Sequence, residues 1–101
     1  MSGDFKLEKV SGGYDIIIDG EVYGIIESHE NTLKDIEIDE KKRGEGYGKK
    51  AVEKWVDIKR EEGYYIVSTT TVISTPMENI LESLGFERYS DTRKYRKKIK
   101  K

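Results

Sequence analysis

The chain has 101 residues, 19 Lys and Arg against 20 Asp and Glu, and a formal net charge of −1, so no global field draws it towards nucleic acid. It contains no cysteine and one histidine, which excludes a disulfide framework, a thiol nucleophile and a His- or Cys-rich metal cluster; no metal is expected. Its apolar runs, such as residues 16–18 and 25–26, are far short of a membrane span or a signal-peptide core, so a single soluble, cytoplasmic domain over residues 1–101 is expected.

Residues 5–10, with Phe5, Leu7 and Val10 among polar side chains, read as a strand turned by Ser11, Gly12 and Gly13. Residues 14–19 carry Ile16, Ile17 and Ile18 to an Asp19-Gly20 hairpin signal, and 22–27 return as a third antiparallel strand. After a polar break at 28–31, residues 32–38 alternate like a half-buried strand, with Ile36 and Ile38 on one face and Asp35 and Glu37 on the other. From 46 to 62 the positions Tyr47, Ala51, Val52, Trp55, Val56 and Ile58 keep helical spacing, and Gly63 stands where a left-handed cap belongs. Residues 65–72, aromatic, β-branched and threonine-rich, read as a parallel strand completing a β-α-β crossover. Thr75, Pro76 and Glu78 have the order of N-cap, N1 proline and capping-box acid, opening a short helix from 76 to about 84 that Gly85 ends. Segments 86–89 and 95–99 read as a closing hairpin around 90–93, before Lys100 and Lys101. The expected architecture is α+β with a mixed sheet: a four-strand antiparallel meander, glycine loop, long helix, parallel strand, short helix and C-terminal hairpin.

The loop between the fourth strand and the long helix, Arg43, Gly44, Glu45, Gly46, Tyr47, Gly48, carries the strongest chemical signal. Closely spaced glycines let backbone N–H groups approach an anion, and the helix that follows adds the positive end of its dipole. A Walker loop would need four residues between Gly44 and a Gly-Lys-Ser/Thr, yet Gly48 comes one residue early and Lys49 is followed by Lys50. A dinucleotide fingerprint would need glycine at position 49, which is lysine. Arg-x-x-Gly-x-Gly at Arg43, Gly46 and Gly48, after Ile36, Glu37 and Ile38, resembles motif A of the GNAT superfamily of acyl-CoA-dependent N-acetyltransferases. Leu84, Gly85 and Phe86 after the short helix resemble its motif B, so the resemblance covers most of the chain.

The resemblance implies acetyl-CoA as co-substrate and transfer of its acetyl group to a primary amine, on a small molecule or a protein lysine or N-terminus, by direct attack on the thioester. It implies that the amides of Arg43, Gly44, Glu45, Gly46, Tyr47 and Gly48 hold the pyrophosphate. Lys49, with Lys50, would neutralise phosphates, and the backbone of Ile36, Glu37 and Ile38 would pair with the pantetheine arm. Two departures stand out. The helices that usually separate the first two strands are replaced by residues 11–13, which leaves one sheet face to be covered by a homodimer or another protein completing the acceptor site. The tyrosine that commonly protonates the departing thiolate corresponds to Leu81, and the frequent motif-B asparagine falls near Ser74, with Asn79 elsewhere on the helix.

A lysine-type amine has a pKa of about 10.4 and must lose a proton before it attacks, so a carboxylate beside the acyl group is expected as base. Glu37 is the first candidate and Glu27 the second; His29 reads as a surface residue in a polar turn. Glu27, Glu30, Asp35, Glu37, Asp39 and Glu40 are expected to form a negative mouth for a cationic acceptor. The alternative is a catalytically weak acyl-CoA-binding regulatory or nucleic-acid-binding module, using Arg93, Lys94, Arg96, Lys97, Lys98, Lys100 and Lys101 around Tyr95.

Overall fold

Period-two patterning in the first forty residues makes sheet before helix. In the computed structural model, which describes residues 4–72, 74–89 and 92–100, β1 (Phe5–Val10), β2 (Gly13–Ile18), β3 (Glu21–His29) and β4 (Thr32–Ile38) form the antiparallel meander. Asp19 and Gly20 both take positive φ, 53° and 85°, the two-residue turn whose twist suits a hairpin. A 3-10 turn at Glu40–Lys42, capped by Asp39, leads to α1 (Tyr47–Glu61), then β5 (Ile66–Thr69), α2 (Thr75–Ser83), β6 (Glu87–Arg88) and β7 (Tyr95–Lys98). The sheet order is β1-β2-β3-β4-β5-β7-β6. Among the described residues, only β4 and β5 pair in parallel.

Both helices lie on one face. Tyr14, Ile16, Ile18, Ile26, Leu33, Val67 and Tyr95 point from the sheet into one core with Ala51, Val52, Trp55 and Val56 of α1, Leu81 of α2, and Phe86. Trp55 is fully buried and its indole N–H has no partner among the described residues. Lys59 extends the buried stripe of α1: its ammonium donates to the Tyr14 hydroxyl at 3.3 Å and to Glu62 Oε1 at 3.1 Å, among the Tyr14, Trp55 and Tyr64 rings. Burial lowers its pKa, but the Glu62 and Tyr14 contacts outweigh that and hold it above the usual lysine value.

Strand register gives the other face to Lys6, Glu8, Asp15, Ile17, Val22, Ile25, Glu27, Asp35 and Glu37, and no helix among the described residues covers it. Of the three consecutive isoleucines of β2, only Ile17 faces this side.

The structure corrects three boundaries. Ser28 and His29 belong to β3, pairing with Leu33 and Thr32, so the polar break shrinks to Glu30 and Asn31. The N-cap of α2 is Ser74, not Thr75; its hydroxyl accepts from Met77 N at 3.3 Å, and the Glu78 carboxylate instead takes Arg93 at 2.8 and 3.0 Å. The parallel strand ends at Thr69 rather than residue 72, because β5 turns away from β4 there. Ser90 and Asp91 of the expected C-terminal turn, and Lys101, lie outside the described residues.

Candidate functional site

The site begins with one extra residue. Glu27 pairs with Asp35 but Ser28 pairs with Leu33, so Lys34 stands out of register as a bulge, which re-aims a strand locally. On its other side β4 meets β5 only at Thr32–Ser68 and Leu33–Thr69. The last bonds between them run from Thr70 N to Leu33 O at 3.0 Å and from Thr70 Oγ1 to Lys34 O at 3.3 Å. Beyond this point the strands part around a cleft of about 340 Å3, whose walls include Glu27, Asp35, Ile36, Thr70, Thr71, Ser74 and Met77. Ile36 and Met77 come from the helix side, Glu27 and Asp35 from the bare side, so the cleft pierces the sheet.

The edge of β4 along the cleft has local partners. Ile36 N–H donates to Asp35 Oδ1 at 2.9 Å, and Ile38 C=O accepts from Arg43 Nε at 2.8 Å. Gly44 and Gly46 follow with φ of 79° and 84°, and Gly46 is the N-cap of α1 with no side chain capping the first turn. An added Cβ at either glycine would meet nothing within 4 Å, so the requirement there is the left-handed backbone alone. Gly48 is different: a Cβ would sit 3.1 Å from Ile80 Cδ1, so its absence lets α1 and α2 approach. Tyr47 stacks on Phe5 at 5.8 Å, with the Lys50 ammonium over both rings, while Glu45 and Lys49 are exposed.

The structure separates the two expected bases. Glu27 lines the cleft with Asp35, whereas Glu37 lies in a shallower hollow with Val22, Tyr23, Ile25, Asp39 and Arg43. The six acids do not share one mouth. Glu30 is at the β3–β4 turn and Asp39 and Glu40 follow the opposite end of β4, a seven-residue strand, which sets them roughly 20 Å apart. His29 is an exposed strand residue 3.8 Å from Glu30.

Leu81 is completely buried, so the α2 contribution to the cleft is Ser74 and Met77 instead. The Tyr95 hydroxyl lies within 3.1 Å of both Glu78 and Glu82. Burial, then hydrogen bonding to Glu82 and Glu78, pushes its pKa up to about 12, which makes it a poor proton donor near neutrality. Arg93, through its paired hydrogen bond, holds the Glu78 carboxyl below the usual carboxylate value. Ser74, near which the resemblance put the motif-B asparagine, does line the cleft, but Thr70, Thr71 and Met77 were not legible as site residues; the threonine run reads as strand, and nothing local marks Lys34 as a bulge. Among the described residues no three His, Asp or Glu side chains converge as a metal site, and no helix is long and apolar enough to cross a membrane.

No protein-family model and no curated protein matches the sequence. Solved structures do. YncA of Salmonella typhimurium, a proposed acetyltransferase with its cofactor acetyl-CoA, matches with a TM-score of 0.72 at 14% identity, over 87% of this chain and 64% of its own. The GNAT family N-acetyltransferase YhbS of Escherichia coli, in complex with CoA, gives 0.67 at 16% identity over 97% and 82%. The ribosomal-protein-S18-alanine N-acetyltransferase of Escherichia coli gives 0.68 at 16% over 88% and 69%. The chain therefore has the GNAT fold. It spans less than two thirds of YncA, and β1 and β2 are joined by Ser11 and Gly12 alone.

Proposed function

We propose that this chain is a cytoplasmic acetyl-CoA-dependent N-acetyltransferase acting on a primary amine. The observation that carries this is the parting of β4 and β5 into a sheet-piercing cleft beside a glycine loop that opens α1. YncA and YhbS, of the same fold, hold acetyl-CoA and CoA. The Arg43 N–H is taken by the Glu40 carbonyl at 3.2 Å, but the amides that follow it through Gly48 suit a pyrophosphate, with Lys49 beside them. The edge of β4 suits pantetheine, whose amides would replace the Asp35 contact at Ile36 and the Arg43 contact at Ile38, Glu37 lying between them.

Acetyl-CoA supplies an acyl group already activated as a thioester. The chain must orient it, bring up a neutral amine and accept a proton. Glu27 lines the cleft on the bare side with Asp35 across the ladder, which favours it as the residue that takes that proton. Glu37, on the same face, is the second candidate. No tyrosine lines the cleft among the described residues, and a thiol with a pKa of roughly 8.5 leaves tolerably well near neutral pH without one. The bare face leaves the acceptor side to be completed by what binds there, a second copy or another protein.

Thermal-shift measurement with acetyl-CoA and free CoA tests the donor, and thiol release with spermidine and lysine amide tests transfer. A melting temperature unmoved by both CoA forms overturns the proposal. A second reading, a CoA- or nucleic-acid-binding module, has Arg96 and Lys98 on the bare face of β7 in its favour. Against it, Arg93 is held by Glu78 and Lys97 donates to Leu84 O at 2.6 Å. A salt-dependent shift of labelled DNA or RNA would support that module.

A further inference from the structure

The cleft opens onto a surface whose chemistry changes across it. On β1 to β4 the bare face carries Glu8, Asp15, Glu27, Asp35 and Glu37 against Lys6 and the exposed Lys34 of the bulge, which lines the cleft beside Glu27 and Asp35. On β5 and β7 it carries Ile66, Ser68, Arg96 and Lys98. Among the acids lie two apolar side chains, Val22 and Ile25, 56% and 46% exposed, next to Ile17, which is buried at 7% and offers little surface. Nothing among the described residues rises above this face to enclose a small amine, which would touch protein on one side only while the cleft admits the acyl arm. An acceptor must therefore draw its affinity from the surface itself.

We propose that the acceptor is a lysine-rich polypeptide segment lying across the bare face of β1 to β4. One lysine would enter the cleft at Glu27 and Asp35, with apolar side chains on Val22 and Ile25. This rests on the acetyl-transfer reading above and narrows its substrate class. Charge selects the occupant. A second copy docked face to face would set acids against acids, whereas a cationic segment meets an acidic surface on one side of the cleft and is turned back by Arg96 and Lys98 on the other. Four strands about 4.8 Å apart are crossed by roughly six extended residues, within reach of any exposed tail or loop.

The test uses the full chain with acetyl-CoA, reading thiol release with a peptide of roughly ten residues alternating lysine and valine, and with spermidine. The expected result is a peptide KM at least about tenfold below that of spermidine, raised about tenfold by joint Val22→Lys and Ile25→Lys substitution. Ile66→Lys, across the cleft, should leave the peptide KM in place. All of these substitutions replace solvent-facing side chains, and each variant should keep the wild-type rise in melting temperature with acetyl-CoA. Equal KM values for peptide and spermidine, or a peptide KM indifferent to the Val22 and Ile25 substitutions, overturn the proposal while leaving acetyl transfer standing. A dimer by light scattering that those two substitutions split also overturns it, because the face then belongs to a second copy. No melting shift with acetyl-CoA in the wild type, or no thiol release with either amine, overturns the acetyl-transfer reading itself.

Discussion

The two faces of this sheet are made by the same strands, residue by alternate residue, yet they serve different ends. On β2, Tyr14, Ile16 and Ile18 go into the core beneath α1, while Asp15 and Ile17 go to a face with no helix. The helix face has a fully buried tryptophan and a lysine held among three aromatic rings; the other has five carboxylates along four strands. In a chain of this size one covered face supplies the stability, which releases the second for recognition. Substitutions on the helix face should therefore register as lost stability, and those on the bare face as lost activity.

Trp55→Ala is expected to give the largest effect, about 3–5 kcal/mol in urea unfolding, since it empties the centre of the core. Ile25→Ala on the opposite face should stay within about 0.5 kcal/mol; similar costs for the two would erase the contrast. Next, Glu27→Gln should lower kcat by about a hundredfold without changing acetyl-CoA binding. A larger loss from Glu37→Gln would move the base to the other hollow. Gly46→Val forces a β-branched residue to a φ of 84°, at about 1–2 kcal/mol, and should abolish the thermal shift with acetyl-CoA. Gly48→Leu should instead act mainly on stability, by pressing Ile80 away, and an intact thermal shift in that variant would separate the two glycines. The smallest effect is the acid titration of Glu78. Its native pKa lies below the reference 4.5, so its contribution is present above that value and fades as pH falls towards the lower native one. Arg93→Ala should flatten that slope in pH-dependent melting.

The elements were legible because their signals are local: the Asp19-Gly20 turn, the helical stripe from Tyr47 to Ile58, the glycines at 46 and 63. The cleft was not, because its walls depend on strand registers that no short window reports; the displaced Lys34 of the β3–β4 ladder follows directly on the last β4–β5 pair, Leu33–Thr69. The acids were visible in sequence, but which of them meet was not. Asp35 and Glu27 share the cleft only because they are cross-strand partners. The helix cap moved by one residue for a similar reason. Glu78 has a distant partner, Arg93, that outcompetes the local capping box.

The short parallel seam between β4 and β5 has a mechanical consequence. Two residue pairs join a four-stranded half-sheet to a three-stranded one, so the backbone bond from Thr70 N to Leu33 O is where the sheet should breathe first. Amide hydrogen exchange at Thr70 should run ahead of exchange in the middle of β2. A donor laid along the edge of β4 would act as a rivet between the halves, slowing exchange at the seam before it changes anything in the core.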